Sequence, residues 1–225
     1  MLRLFIYWRQ QKWRTDLDLS VIQSDAELNY VGHVSNTNLK SAGIVHSGDI
    51  VSAPKGAAEF VDITLGQLPS AARYLAVEVN RFCGEEFAEM RCHVGWMIRE
   101  RVNSSLKTFD IKTVANKLDL NGTGDYAVPL VVDLEVREII LTDLYMSGKT
   151  LHNNVEGSYT NVSLACRALR EFTTTRPSML QLAELHLEAR GGARVDDRDE
   201  SEVTFGVRDC TYSAADTATI LSELL

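Results

Sequence analysis

Apolar and polar residues alternate along most of the first two-thirds of the chain. In residues 2–8, Leu2, Leu4, Ile6 and Trp8 share one parity, and Arg3, Phe5 and Tyr7 share the other. That is the period of a strand with one buried face and one partly aromatic face. Trp13 is placed to close the same apolar cluster. Leu17, Leu19 and Val21 then alternate with Asp16, Asp18 and Ser20. A strand here packs its leucines inward and puts both carboxylates and the hydroxyl on the opposite side. Similar runs at 30–34, 60–65, 74–80, 94–98, 109–114, 127–132 and 137–145 bring the total to at least seven strands before residue 146. Pro54-Lys55-Gly56 and Leu68-Pro69 punctuate them. Residues 83–90, with Gly84 at the tight point, residues 121–125 and the Asp133-Leu134-Glu135 connection all read as hairpins. No helical patterns interleave with these strands. The predicted fold is therefore mainly β, a two-sheet antiparallel β-sandwich with appended C-terminal helices.

The period changes after residue 147. Residues 148–159 are polar and read as an outward loop, whereas 162–172 place Ala165, Ala168, Leu169 and Phe172 on one helical side. A second helix starts near Pro177 and is stopped by Gly191-Gly192. Val203, Phe205 and Val207 predict one late strand. Ser213 and Asp216 have capping-box-like spacing before a final helix with Ile220, Leu221, Leu224 and Leu225. The division is a sandwich over 1–147 and a mainly helical extension over 148–225, packed on the sandwich. So apolar an end calls for a groove on this chain or a neighbour, as in a homo-oligomer or a larger parent chain.

Composition narrows the function classes. A formal charge of −8 over 225 residues argues against a general nucleic-acid partner. A chain of this length builds a core without disulfides. The cysteines at 83, 92, 166 and 210 have no CxxC spacing, and the adjacent Cys92 and His93 complete no zinc pattern. No signal peptide or membrane-spanning segment is apparent, so the expected setting is the cytoplasm. The Asn121–Asp125 turn lacks the lysine of a phosphate loop, Ser47 lacks a nucleophile elbow, and His186 and Glu184 do not form HExxH. No motif identifies an enzyme.

The candidate chemistry is concentrated in residues 15–62. This stretch supplies Asp16, Asp18, Asn36, Asn38, Asp49, Glu59 and Asp62, an all-oxygen set of the kind that holds calcium. Each member also has a plain structural reading. Asp16 and Asp18 can form a solvated face paired with Arg14 or Lys12, and Asn36 and Asn38 can fix turns. Ser47-Gly48-Asp49 is an ordinary loop sequence. His46 is softer than calcium prefers, so its expected role is to orient that loop.

RTDLDLSV, NTNLK, HSGDI and EFVDITLGQLP, in that order and spacing, resemble the TerD family of tellurium-resistance and stress-response proteins. The resemblance covers roughly residues 2–145. It implies a β-sandwich that binds calcium through clustered acidic loop residues, with roles proposed in metal stress and membrane-associated complexes. The family's DLD signature falls on Asp16-Leu17-Asp18, its asparagine loop near Asn36 and Asn38, and its HSGDN motif on His46-Ser47-Gly48-Asp49-Ile50. Its acidic DDE run is Ala57-Ala58-Glu59 here, so two carboxylates and one asparagine are missing, and Asp62 is the nearest substitute. The implied function is a non-enzymatic, calcium-responsive binding or scaffold module in cytoplasmic stress response, with a weakened Ca2+ site and a protein partner or membrane-associated complex. The alternatives are a structural or protein-interaction module with a degraded ion site, and a metal-dependent phosphoester hydrolase.

Overall fold

The computed structural model describes residues 1–98, 114–148, 154–175, 179–192, 203–204, 210–213, 216–219 and 222. Its strands are β1 (Leu2–Arg9), β2 (Asp16–Ser24), β3 (Tyr30–Val34), β4 (Lys40–Ser41), β5 (Ile44–His46), β6 (Ala57–Ile63), β7 (Tyr74–Cys83), β8 (Arg91–Ile98), β9 (Val114–Asp119), β10 (Tyr126–Asp133) and β11 (Glu138–Met146). Two longer helices follow, α1 (Val155–Thr175) and α2 (Met179–Ala189).

The strands form a six-stranded sheet in the order β4-β5-β6-β1-β8-β9 and a five-stranded sheet in the order β11-β10-β7-β2-β3. Described ladders are antiparallel. The sandwich core lies between the sheets, as the alternating pattern requires. Leu4, Ile6 and Trp8 of β1 and Val61 and Ile63 of β6 meet Leu17, Leu19 and Val21 of β2 and Leu75, Val77 and Val79 of β7. Trp8 supplies the indole of this core and donates its ring N–H to the Thr15 carbonyl (3.1 Å). Trp13 is exposed instead of closing the cluster, because the turn before β2 carries it outward.

Every residue of β2 is buried, on both faces. Its outward parity is covered in part by α1, whose Val155, Val162 and Cys166 pack with Ile22, Ala76, Tyr126, Val128 and Val131. The helix begins at Val155, inside the stretch expected to be a loop, and its buried stripe is Val155, Ser158, Val162 and Cys166. The expected stripe is misphased: Ala168 and Phe172 are exposed. A buried serine sets the true phase, and counting only apolar residues skips it.

Two expected hairpins are corrected. β7 and β8 lie in different sheets, as do β9 and β10, so residues 83–90 and 121–125 carry the chain from one sheet to the other. Turn residues permit a reversal but do not specify which sheet receives the next strand. The β10–β11 connection is a true hairpin.

The chain divides into two compact units, Met1–Leu169 and Arg170–Leu225. The first takes in α1 as far as Leu169, beyond the expected limit at 147. In the second, α2 ends as predicted: Gly191 has φ +69°, and Gly191 and Gly192 donate to the carbonyls of Glu188 (3.0 Å) and Leu187 (2.9 Å). Asp216 accepts from the Ser213 N–H and hydroxyl, both at 2.8 Å. The Phe205–Val207 part of the expected late strand lies outside the described residues. So do Ile220, Leu221, Leu224 and Leu225 of the final helix, and Phe109 and Ile111. Among the described residues, no helix is long and apolar enough to cross a membrane.

Candidate metal centre

The loop preceding β2 is fixed by a glutamate that the sequence motifs pass over. Buried Glu85 accepts the backbone N–H of Gln11 (2.6 Å) and of Lys12 (2.7 Å), while its own N–H donates to the Thr15 hydroxyl (3.1 Å). Gly84, at φ +107°, makes this approach feasible, since a Cβ there would stand 2.4 Å from Thr15 Oγ1. Asp16 and Asp18 follow immediately on the outward parity of β2, with only 4% and 3% of each residue exposed. The predicted side of the strand is right, but the carboxylates are buried rather than solvated.

The 47–56 loop supplies the third carboxylate. Ser47 is tied to Phe60 by two bonds, its N–H to the Phe60 carbonyl (2.8 Å) and the Phe60 N–H to its hydroxyl (2.9 Å). Farther on, Gln10 Oε1 accepts from the Ala53 N–H (2.8 Å) and the Ser52 hydroxyl (3.1 Å). Between these anchors Gly48 takes φ +110°, and Asp49 projects as an exposed side chain.

Glu59 joins the strand to the loop. It points between the sheets, fully buried, with Oε2 accepting the Leu19 N–H (3.0 Å) and Oε1 the Ile50 N–H (2.9 Å). His46 completes the joint. Its Nδ1 accepts the Gly48 N–H (3.0 Å), so Nε2 carries the proton and donates it to the Leu19 carbonyl (3.0 Å), with Glu59 Oε2 3.5 Å away. The expected loop-orienting role of His46 is what these bonds perform. Glu59 and His46 together satisfy both backbone groups of Leu19 where β2 has not yet begun its ladder with β3, which starts at Val21.

These constraints bring one ligand oxygen each from Asp16, Asp18 and Asp49 within 4.8 Å of one another. Asp16 Oδ1 is buried and has no hydrogen-bond partner among the described residues. Among the described residues, the nearest cationic group is Arg14, 3.7 Å from Asp16 Oδ2 and itself largely exposed. Desolvation pushes the Asp18 carboxyl up to about 8, reinforced by Asp16, Glu59, Asp49 and Glu78. Desolvation and Asp49 push Asp16 up to about 6, with Arg14 pulling the other way and Glu59 adding to the rise. Clustered, partly desolvated carboxylates with an orphaned oxygen are chemically able to hold a hard cation.

The remaining sequence candidates lie elsewhere or are already engaged. Glu59 has both oxygens committed to backbone N–H groups, so it braces the site. Asn38 holds the β3–β4 turn, donating to the His33 carbonyl (2.8 Å), and Asn36 sits beside it in the same turn. Asp62 is on the outer face of the six-stranded sheet, locked in a two-pronged pair with Arg3 at 2.5 and 2.6 Å. It does not replace the acids absent at Ala57 and Ala58, because β6 alternation turns it away from Glu59. Cys92 packs in the core, its thiol pushed far up by burial, while His93 stacks on Tyr7 across the opposite face. Their adjacency in sequence makes no dyad.

No family model and no curated protein matches the chain. Among solved structures, one similar chain is an unknown-function protein, SAV2460, at 19% identity, with 64% of this chain and 90% of that one covered at a TM-score of 0.46. Another is a homologue of telluride resistance protein (TerD), SCO6318 from Streptomyces coelicolor A3(2), at 12% identity, with 72% of this chain and 96% of that one covered at a TM-score of 0.51. The order of strands, the two packed sheets and this likeness together give the chain a TerD-like β-sandwich fold.

Proposed function

We propose that the chain is a calcium-binding module in which Asp16, Asp18 and Asp49 hold the ion at one rim of the sandwich. The observation that carries this reading is the convergence of three carboxylates, two of them buried, around an oxygen with no partner. A buried acid normally finds a cation or keeps its proton, and a divalent ion offsets charge that Arg14 alone does not. The ion pins the 47–56 loop against β2, and the stiffened rim is the surface offered to a protein partner. The module acts by binding rather than by catalysis, in a stress-response setting in keeping with the TerD-like fold.

The test is thermal unfolding of the full chain in calcium and in chelator. Calcium at about 100-fold over its Kd raises stability by about 2.7 kcal/mol. Asp49→Ala abolishes that rise, whereas Glu27→Ala, on an exposed turn away from the cluster, retains it. Identical curves in calcium and chelator for the unsubstituted protein defeat the reading.

A further inference from the structure

The polar row on β2 does not end at Asp18. Leu19 and Val79 are opposed and both face the sandwich core, so Asp18 and its cross-strand partner Asn80 lie together on the outer face. Ser20 and Glu78 are the next opposed pair on that face. Asn80 and Glu78 are almost wholly buried, at 1% and 0% exposed, yet among the described residues Asn80 Oδ1 and Glu78 Oε2 have no hydrogen-bond partner. Glu78 Oε1 is held by the buried Ser158 hydroxyl of α1 (2.6 Å). Orphaned buried acceptors are rare and call for an ion or another donor. Here they form a line from the carboxylate cluster to the underside of a helix.

We propose that Asn80 is the inner ligand of the cation site and that, through Glu78 and Ser158, occupancy of the site is coupled to the seating of α1. The inference rests on the cation reading above and extends it. Directly opposed residues in an antiparallel ladder have Cβ atoms about 4.5–5.5 Å apart, which lets an ion on Asp18 recruit the amide oxygen facing it. A neutral amide oxygen suits calcium and adds no charge to a site already rich in carboxylates. The ion also places positive charge on the same outer face as Glu78, one opposed pair further along the ladder. Positive charge there strengthens the contact in which Glu78 accepts from the Ser158 hydroxyl, which favours the helix in its seat. Coupling of this kind is reciprocal: the factor by which calcium favours the seated helix equals the factor by which the seated helix favours calcium.

The experiment is amide hydrogen exchange over residues 155–169 of the full chain, with calcium chloride or chelator, together with calcium affinity by calorimetry. Calcium slows exchange there by about fivefold or more. Asn80→Leu weakens calcium binding by ~10- to 100-fold and removes the response of the helix, whereas Asn80→Asp, which keeps an oxygen, restores both. Ser158→Ala touches no carboxylate of the cluster, yet loses the response and lowers calcium affinity by the same factor. Should Asn80→Leu fail to fold, Ser158→Ala and Asn80→Asp still decide the matter. Calcium bound at unchanged affinity in Ser158→Ala, with exchange at 155–169 indifferent to the ion in the unsubstituted protein, overturns the coupling and leaves the site intact. No calcium bound to any form overturns both.

Discussion

Asp62 and Asp18 each sit on the outward parity of a non-edge strand, one in β6 and the other in β2, and their surroundings differ completely. Asp62 faces Arg3 across the ladder, in an ion pair that is partly open to water. Its charge is matched by its neighbour, and nothing further is needed to explain it. Asp18 faces a neutral asparagine, lies within reach of Asp16 and Asp49, and is shut away from solvent. The number of acids in a stretch of sequence thus says little. Burial without a matching positive charge is what separates the Asp18 cluster from a decorated surface.

The largest effect is expected at the brace between these environments. Glu59→Ala strands the N–H groups of Leu19 and Ile50 inside the sandwich and removes two charge-assisted bonds. Denaturant unfolding should show a loss of about 3–5 kcal/mol, in chelator as well as in calcium. A loss seen only in calcium would mean that Glu59 is a ligand and not a brace.

Next is the pH dependence of the metal-free protein. Carboxyls whose folded pKa stands above the unfolded value favour the folded state most when protonated. Their contribution is complete below the unfolded value of 3.8 and is lost as pH rises through about 6 for Asp16 and about 8 for Asp18. In chelator above pH 8, Asp18→Asn should therefore be more stable than the unsubstituted protein, by on the order of 2 kcal/mol. In saturating calcium the order should reverse, because a ligand has been removed. Parallel pH profiles for the two proteins in chelator would contradict the assigned electrostatics.

The smallest effect belongs to the self-matched pair. Arg3→Ala or Asp62→Ala should cost about 0.5–1 kcal/mol, less at high salt, with no change in the response to calcium. A calcium response altered by Asp62→Ala would bring that residue back into the site.

Much of this was legible in the sequence. The alternation in 2–8 and 16–21 gave two central strands and their correct facing, and the helix stop at Gly191-Gly192 needed only local backbone chemistry. Residue type and spacing place Asp16, Asp18 and Asp49 among seven candidate oxygen ligands in residues 15–62. Their burial was not legible, since it depends on the 47–56 loop and on neighbouring strands distant in sequence. Asn36 and Asn38 looked like ligands because side-chain oxygens serve turns and ions equally well. Asn80 gave no signal: a lone asparagine on a strand becomes noteworthy only when Asp18 is found opposite and α1 overhead. Glu85 was hidden for a similar reason, as its partners at Gln11, Lys12 and Thr15 are some seventy residues away in the chain.

The central claim, that three carboxylates at the rim take up a hard divalent ion, is tested most directly by calorimetric titration of calcium at pH 7 in two buffers of different ionisation enthalpy. The account predicts a saturable isotherm of weak affinity, with protons released on binding, because Asp18 holds its proton at that pH until the ion displaces it. Asp18→Asn should remove both the heat and the proton release. No binding heat up to millimolar calcium, in either buffer, would contradict it.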